Sequence, residues 1–170
     1  MSDHGSGTSP AGRTWAVIDI DGVLADVRHR LHHISGDRRD WAAFFAGMPD
    51  DALLAAGAEA VREACAAGLE VVYLTGRPES YRSQTLSWLE RCELPAGNLL
   101  MRPERDRRPA VVFKVERLRS LRESGEVAYL LDDDEDVLRS ARAAGFAVRH
   151  ADWMGRQEAL RQAQEASGRT

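Results

Sequence analysis

The stretch Ala16-Val17-Ile18-Asp19-Ile20-Asp21-Gly22-Val23-Leu24-Ala25-Asp26 decides the fold. An apolar run ends in two carboxylates two positions apart, and a glycine follows at once. Continuous apolar character suits a central strand of a parallel sheet, covered on both faces. Asp21 and Gly22 break it, so Thr14 to Ile20 reads as strand and the two acids mark its C-terminal end. Open α/β sheets place their ligands at that edge.

The same pattern recurs downstream. Glu70 to Leu74 is β-branched and aromatic, and it runs into Thr75-Gly76-Arg77-Pro78. Asn98 to Met101 is a short strand, followed by a charged loop from Arg102 to Pro109. Val127 to Leu131 ends in the acidic run Asp132 to Asp136, and Phe146 to Arg149 makes a fifth strand. Helical periodicity fills the gaps. Asp50-Asp51 caps a helix reaching Ala67, with Leu54, Ala58, Val61 and Cys65 as its apolar stripe. A second helix spans Glu79 to Cys92, with Tyr81, Thr85, Leu86, Trp88, Leu89 and Cys92 turned inward. A third runs from Ala110 to Glu123 on Val111, Val115, Leu118 and Leu121, and a fourth from Val137 to Ala144. A polar terminal helix is expected over Trp153 to Ala166. Strands alternating with helices over short connections predict an α/β, doubly wound, Rossmann-like parallel sheet. Right-handed crossovers then bring every strand's C-terminal end to one edge.

Between the first strand and the first long helix lies a segment of different character. Arg28, His29, Arg30, His32, His33, Arg38 and Arg39 precede an aromatic set, Trp41, Phe44 and Phe45, with Met48. It is read as a small cap over about residues 27–49, a basic loop followed by a short helix. The expected organisation is a flexible leader over residues 1–13, one domain over 14–153 and a helical tail over 154–170.

Chain length allows one domain with its own core. At 44% hydrophobic and 29% charged residues, wholesale disorder is not expected. A formal net charge of −4 argues against a general polyanion binder but leaves room for a basic patch that holds one phosphate. Cys65 and Cys92 form no CxxC pair and read as small core residues in a reducing compartment, the cytoplasm. No apolar run approaches the ~18 residues that would span a membrane, and no obligate protein partner is evident.

Clustered carboxylates are costly because like charges disfavour ionisation. A hard cation such as Mg²⁺ relieves that cost with oxygen ligands. Asp19, Asp132 and Asp133 are the candidate side-chain ligands, and Asp21 offers its main-chain carbonyl. Asp19 would then attack phosphorus as a carboxylate nucleophile. Asp21 would move protons, giving one to the leaving oxygen and later taking one from water, which requires a pKa raised from about 3.9. A neighbouring carboxylate pushes that way and a cation opposes it. Thr75 with Gly76 supplies a hydroxyl and backbone N–H groups for phosphoryl oxygens, Lys114 supplies positive charge, and Arg30 and Arg77 suit bidentate contact with the substrate's phosphate.

Asp19-Ile20-Asp21-Gly22-Val23, Thr75, Lys114 and Asp132-Asp133, in that order and spacing, resemble the four motifs of the haloacid dehalogenase superfamily of phosphohydrolases. The resemblance implies an Mg²⁺-dependent phosphatase working through an aspartyl-phosphate. The sequence is more specifically similar to the 3′-phosphatase domain of phage-type polynucleotide kinase-phosphatases. There an arginine matches Arg30 by its offset from Asp19, a second follows the Thr-Gly pair as Arg77 does, and Arg108 to Lys114 resembles the approach to the motif lysine. An aspartate that helps fix the lysine or arginine side chains is common in that family where this chain has Ala110. The implied substrate is a phosphorylated nucleotide or polynucleotide end. A small-metabolite phosphatase and a catalytically silent nucleotide-binding module remain the alternatives.

Overall fold

The computed structural model describes residues 12–35 and 38–155, with Leu160 and Gln162. Most of the expected leader and most of the expected terminal helix lie outside them. Seven strands are present among the described residues: β1 (Thr14–Ile18), β2 (Ala25–Asp26), β3 (Ala52–Leu53), β4 (Glu70–Pro78), β5 (Asn98–Arg102), β6 (Glu126–Asp132) and β7 (Val148–His150). The α-helices are α1 (Trp41–Ala46), α2 (Ala55–Ala66), α3 (Arg82–Arg91), α4 (Ala110–Arg122) and α5 (Glu135–Ala143).

Five strands form one parallel sheet in the order β5-β4-β1-β6-β7. The central place of β1 follows from its composition. Alternation sends Ala16 and Ile18 into the layer that holds Val61 of α2 and Trp88 of α3. Trp15 and Val17 go into the opposite layer, with Phe113 of α4 and Val137 of α5. Both faces are therefore dry, as the uninterrupted apolar run requires. β2 and β3 pair as an antiparallel ribbon at the root of the insertion. Between them lie a 3₁₀ turn at Arg28–His33, α1, and a second 3₁₀ turn at Met48–Asp50. Trp41, Phe44 and Phe45 of α1 pack on one another, and Phe45 meets Tyr81 with ring centroids 4.8 Å apart.

Several local expectations are corrected. α2 starts at Ala55, with Leu54 at its N-cap and no side chain capping it, so Asp50-Asp51 is not the cap. Cys65 of α2 and Leu86 of α3 are exposed rather than turned inward. α3 is shorter than expected, because a 3₁₀ turn takes up Glu79–Tyr81. β4 continues through Thr75, Gly76 and Arg77 to Pro78, with a register irregularity against β5 in between, so these residues sit on strand backbone rather than in a loop. α5 begins earlier, at Glu135, because Asp134 caps it by accepting N–H groups from Asp136 and Val137.

Candidate active site

The opening motif is held rigidly by its backbone. Past the end of β1, the Asp19 N–H donates to the Leu131 carbonyl (3.0 Å), pinning Asp19 against β6. The chain then turns on the Ile20 carbonyl, which accepts from the N–H groups of Leu24 and Ala25 (both 2.8 Å). Gly22 adopts φ of +83°, and a Cβ there would lie 2.3 Å from Asp133 Oδ2. Only glycine meets both demands, so Gly22 is what lets the first motif close on the fourth.

Asp19, Lys114, Asp132 and Asp133 form one cluster. Lys114 Nζ is 2.9 Å from Asp19 Oδ2 and donates to Asp132 Oδ2 at 2.7 Å. Asp132 Oδ1 accepts the Asp134 N–H, which fixes its orientation. Carboxylate oxygens of Asp19, Asp132 and Asp133 all lie within 4.8 Å of one another. Asp133 Oδ1 is buried without a hydrogen-bond partner, and among the described residues Lys114 is the only cation paired with Asp19. Three carboxylates thus face one ammonium. Burial pushes the Asp19 carboxyl up to about 7 even though Lys114 pulls it down, and Asp132 adds to the rise. Asp133 moves upward as well, through burial and the charges of Asp132 and Asp19. Burial works against the Lys114 charge, and Asp132 and Asp19 overcome it, so its pKa rises. An all-oxygen set with surplus negative charge and an orphaned buried oxygen fits a hard divalent cation.

A second cluster adjoins the first, because Asp21 is two residues from Asp19. Asp21 Oδ1 accepts from Arg30 Nη2 (2.7 Å) and Arg77 Nη2 (2.6 Å), and Oδ2 accepts from Arg77 Nε (3.0 Å). Asp51 mirrors it. Its Oδ1 accepts from Arg30 Nε (2.7 Å), and its Oδ2 from Arg30 Nη2 (2.8 Å) and Arg77 Nη2 (3.0 Å). The His29 ring reaches Asp51 Oδ1 at 2.9 Å, and the Asp51 carbonyl accepts the Trp88 indole N–H at 2.9 Å. The Arg30 guanidinium stacks 4.1 Å over the Phe44 ring, which is how the aromatic helix α1 covers a buried charge.

The proton-carrier role expected of Asp21 needs a raised pKa, and the structure gives the opposite. Burial raises it, but the guanidiniums of Arg77 and Arg30 overcome burial and hold the carboxyl at about 2. Arg30 and Arg77 are both buried and ion-paired to Asp21 and Asp51. Only Arg77 Nη1 lacks a partner. Thr75 is fully buried and its hydroxyl accepts the Arg77 N–H at 3.2 Å, with the buried Gly76 between them.

Sequence reasoning missed Asp51, which it placed at a helix cap. The available signal was charge balance, since two buried guanidiniums around one carboxylate need a second acid. It also passed over Arg102, read as part of a charged loop but buried at the end of β5.

Comparison with solved structures places this fold. A haloacid dehalogenase-like protein from Streptococcus pneumoniae matches 90% of this chain and 91% of its own, at 13% identity and a TM-score of 0.56. The class C acid phosphatase from Bacillus anthracis with tungstate bound matches 81% of this chain and 61% of its own, at 16% identity and a TM-score of 0.60. A chain in the structure of the Pnkp1/Rnl/Hen1 RNA repair complex matches 84% of this chain at 24% identity and a TM-score of 0.68. This chain covers 43% of that one, less than half its length. The fold is the one these haloacid dehalogenase-like hydrolases and phosphatases share. Within that fold, the family model for the polynucleotide kinase PNKP phosphatase domain matches residues 14–152, and the chain belongs to that family. No curated protein matches the sequence. No helix among the described residues is long and apolar enough to cross a membrane.

Proposed function

We propose that this domain removes a phosphate from a phosphomonoester at a nucleotide or polynucleotide 3′ end, with Mg²⁺ and with Asp19 as nucleophile. The observation that carries it is the cluster of three carboxylates around Lys114, with surplus charge and oxygen-only donors beside the terminus of the central strand. Asp19, Asp132 and Asp133 would hold the cation, with the Asp21 carbonyl as a further oxygen. When bound, Mg²⁺ supplies charge neutralisation at a phosphoryl oxygen and keeps the group in line for attack.

An Asp19 carboxylate oxygen forms a bond to phosphorus as the ester P–O bond breaks, leaving an aspartyl-phosphate and releasing the alcohol once its oxygen takes a proton. Water then attacks phosphorus, gives up a proton, and frees phosphate and the Asp19 carboxylate. Lys114 and the Thr75 segment balance charge on the phosphoryl oxygens. Asp21 carries the protons when a bound dianion competes for Arg77 and Arg30. Sharing those guanidiniums weakens their hold on Asp21 and lets its pKa climb. The segment between β2 and β3 serves as a small cap that leaves the site open to a large substrate. Two free cysteines suit a cytoplasmic setting.

Phosphate release from p-nitrophenyl phosphate and from a 3′-phosphorylated oligonucleotide, with Mg²⁺ or with chelator, tests this. Metal-dependent turnover of both, lost in Asp19→Asn, is expected. No turnover of either by pure wild-type protein would overturn the phosphatase reading. Turnover of the small ester alone would move the substrate to small metabolites.

A further inference from the structure

Two acid-bearing loops meet at the reactive cluster, the turn after β1 and the loop after β6, and one short segment of chain is bonded to both. Past β7, the Ala151 N–H donates to the Asp132 carbonyl at 3.0 Å. Two residues on, the Trp153 indole N–H donates to the Val23 carbonyl at 3.1 Å. Asp132 directly precedes Asp133, and Val23 directly follows Gly22. The two bonds therefore flank the close approach of Gly22 to the Asp133 carboxylate.

This strap is anchored on its own account. Asp152 to Gly155 is a tight turn, closed by the Gly155 N–H on the Asp152 carbonyl at 3.2 Å, with Gly155 at φ of +67°. Ala151 and Met154 are buried in the core layer that holds Ile18 and Val61, and the half-buried Trp153 ring packs against that layer. The turn it grips is tied on the other side to the root of the insertion. There the Leu24 carbonyl accepts the Leu54 N–H at 2.8 Å, and Ala25 pairs with Leu53. Trp153 supplies the opposing tie, from beyond β6. Val23 is fully buried, and α2 closes in on its carbonyl: a Cβ on Gly57 would lie 2.1 Å from the oxygen. Without the indole N–H this buried carbonyl loses its donor, a cost the turn relieves by moving.

We propose that Trp153 is a positioning residue for the reactive cluster. Through the Val23 carbonyl it holds the turn after β1 against the Asp133 carboxylate. It thereby sets the geometry in which Asp19, Asp133 and the Asp21 carbonyl receive a divalent cation, a role that rests on the metal-dependent phosphatase reading above. The indole acts only through Val23. Groups that orient metal ligands from behind change metal affinity by about 10- to 100-fold when they are removed.

Calorimetric titration of Mg²⁺, with steady-state kinetics on p-nitrophenyl phosphate, tests it in wild type and Trp153→Phe. Phenylalanine keeps an aromatic ring in the strap and removes the donor. Mg²⁺ binding should weaken by about tenfold or more. At saturating Mg²⁺, KM for the ester should stay within about twofold of wild type, because uniform substrate binding is untouched. Turnover at limiting Mg²⁺ should fall in step with the lost affinity. A merely structural indole would lower Tm and leave Mg²⁺ affinity unchanged, and that result overturns the proposal. A measurement on wild type keeps the test decisive if Trp153→Phe does not fold. In ¹⁵N-indole NMR, the Trp153 Nε1–H signal should move on saturation with Mg²⁺, while that of Trp15, in the opposite layer, stays in place. An unmoved Trp153 signal in Mg²⁺-bound protein also overturns the proposal. Mg²⁺ binding that Trp153→Phe weakens, without hydrolysis of any phosphomonoester by wild type, supports the positioning role and overturns the phosphatase reading alone.

Discussion

Two buried ionic clusters sit side by side at the sheet edge, and they differ in charge balance. Around Asp21 and Asp51, two carboxylates meet two guanidiniums, and nearly every oxygen and donor is used. Around Asp19, Asp132 and Asp133, three carboxylates share one ammonium. The same residue type is thereby driven in opposite directions: Asp19 up to about 7 and Asp21 down to about 2, with one residue between them. The balanced cluster is a framework, costly to break because any missing member strands a buried charge. The unbalanced one is under-compensated and is the one suited to a cation and a phosphoryl group.

Asp19→Asn should show the largest effect. Removing the nucleophile is expected to lower kcat by about four orders of magnitude, the scale of losses at a covalent catalytic group. It should leave the fold intact and raise the Tm of the metal-free protein, since one surplus carboxylate is gone. A variant that retains a tenth of wild-type turnover would break the assignment of the reactive cluster. Next comes Asp51→Ala, which leaves two guanidiniums on one carboxylate. Urea unfolding should show a loss of about 3–5 kcal/mol, and a loss near zero would show that the cluster is not a framework.

The smallest effect is on pH dependence without metal. The folded pKa of Asp19 lies above its ordinary 3.8. Between the two values the folded state binds more protons than the unfolded, so stability is full below about pH 4 and falls as pH rises through 7. Asp21 runs the other way, its contribution holding above pH 4 and lost only as pH falls toward 2. Scanning calorimetry of metal-free protein should therefore show Tm dropping by a few degrees from pH 5 to 8. Saturating Mg²⁺ should flatten the slope, and a flat metal-free profile would contradict the surplus charge.

The sheet was legible from residues because each strand is a short apolar run ending at a polar signal, and the order of motifs fixed which edge mattered. Asp19, Asp132 and Asp133 could be placed together on topology alone, and Lys114 joined them through the resemblance to the third motif. Asp51 could not. In sequence it looks like a helix start, and only the folding of the β2–β3 ribbon over the sheet brings it to Arg30 and Arg77. The direction of the Asp21 shift was equally hidden, since it depends on guanidiniums 9 and 56 positions away closing on one carboxylate. Arg102 looked like any arginine of a charged loop until burial separated it from Arg105 and Arg107.

Calorimetric titration of Mg²⁺ into metal-free protein at pH 7, repeated in two buffers of different ionisation enthalpy, measures the difference between the clusters most directly. One saturable site is predicted, with protons released on binding because burial favours the protonated Asp19 carboxyl and the cation requires its carboxylate. The site should be lost in Asp133→Asn. Absence of saturable binding, or binding unaltered by that substitution, would contradict the account.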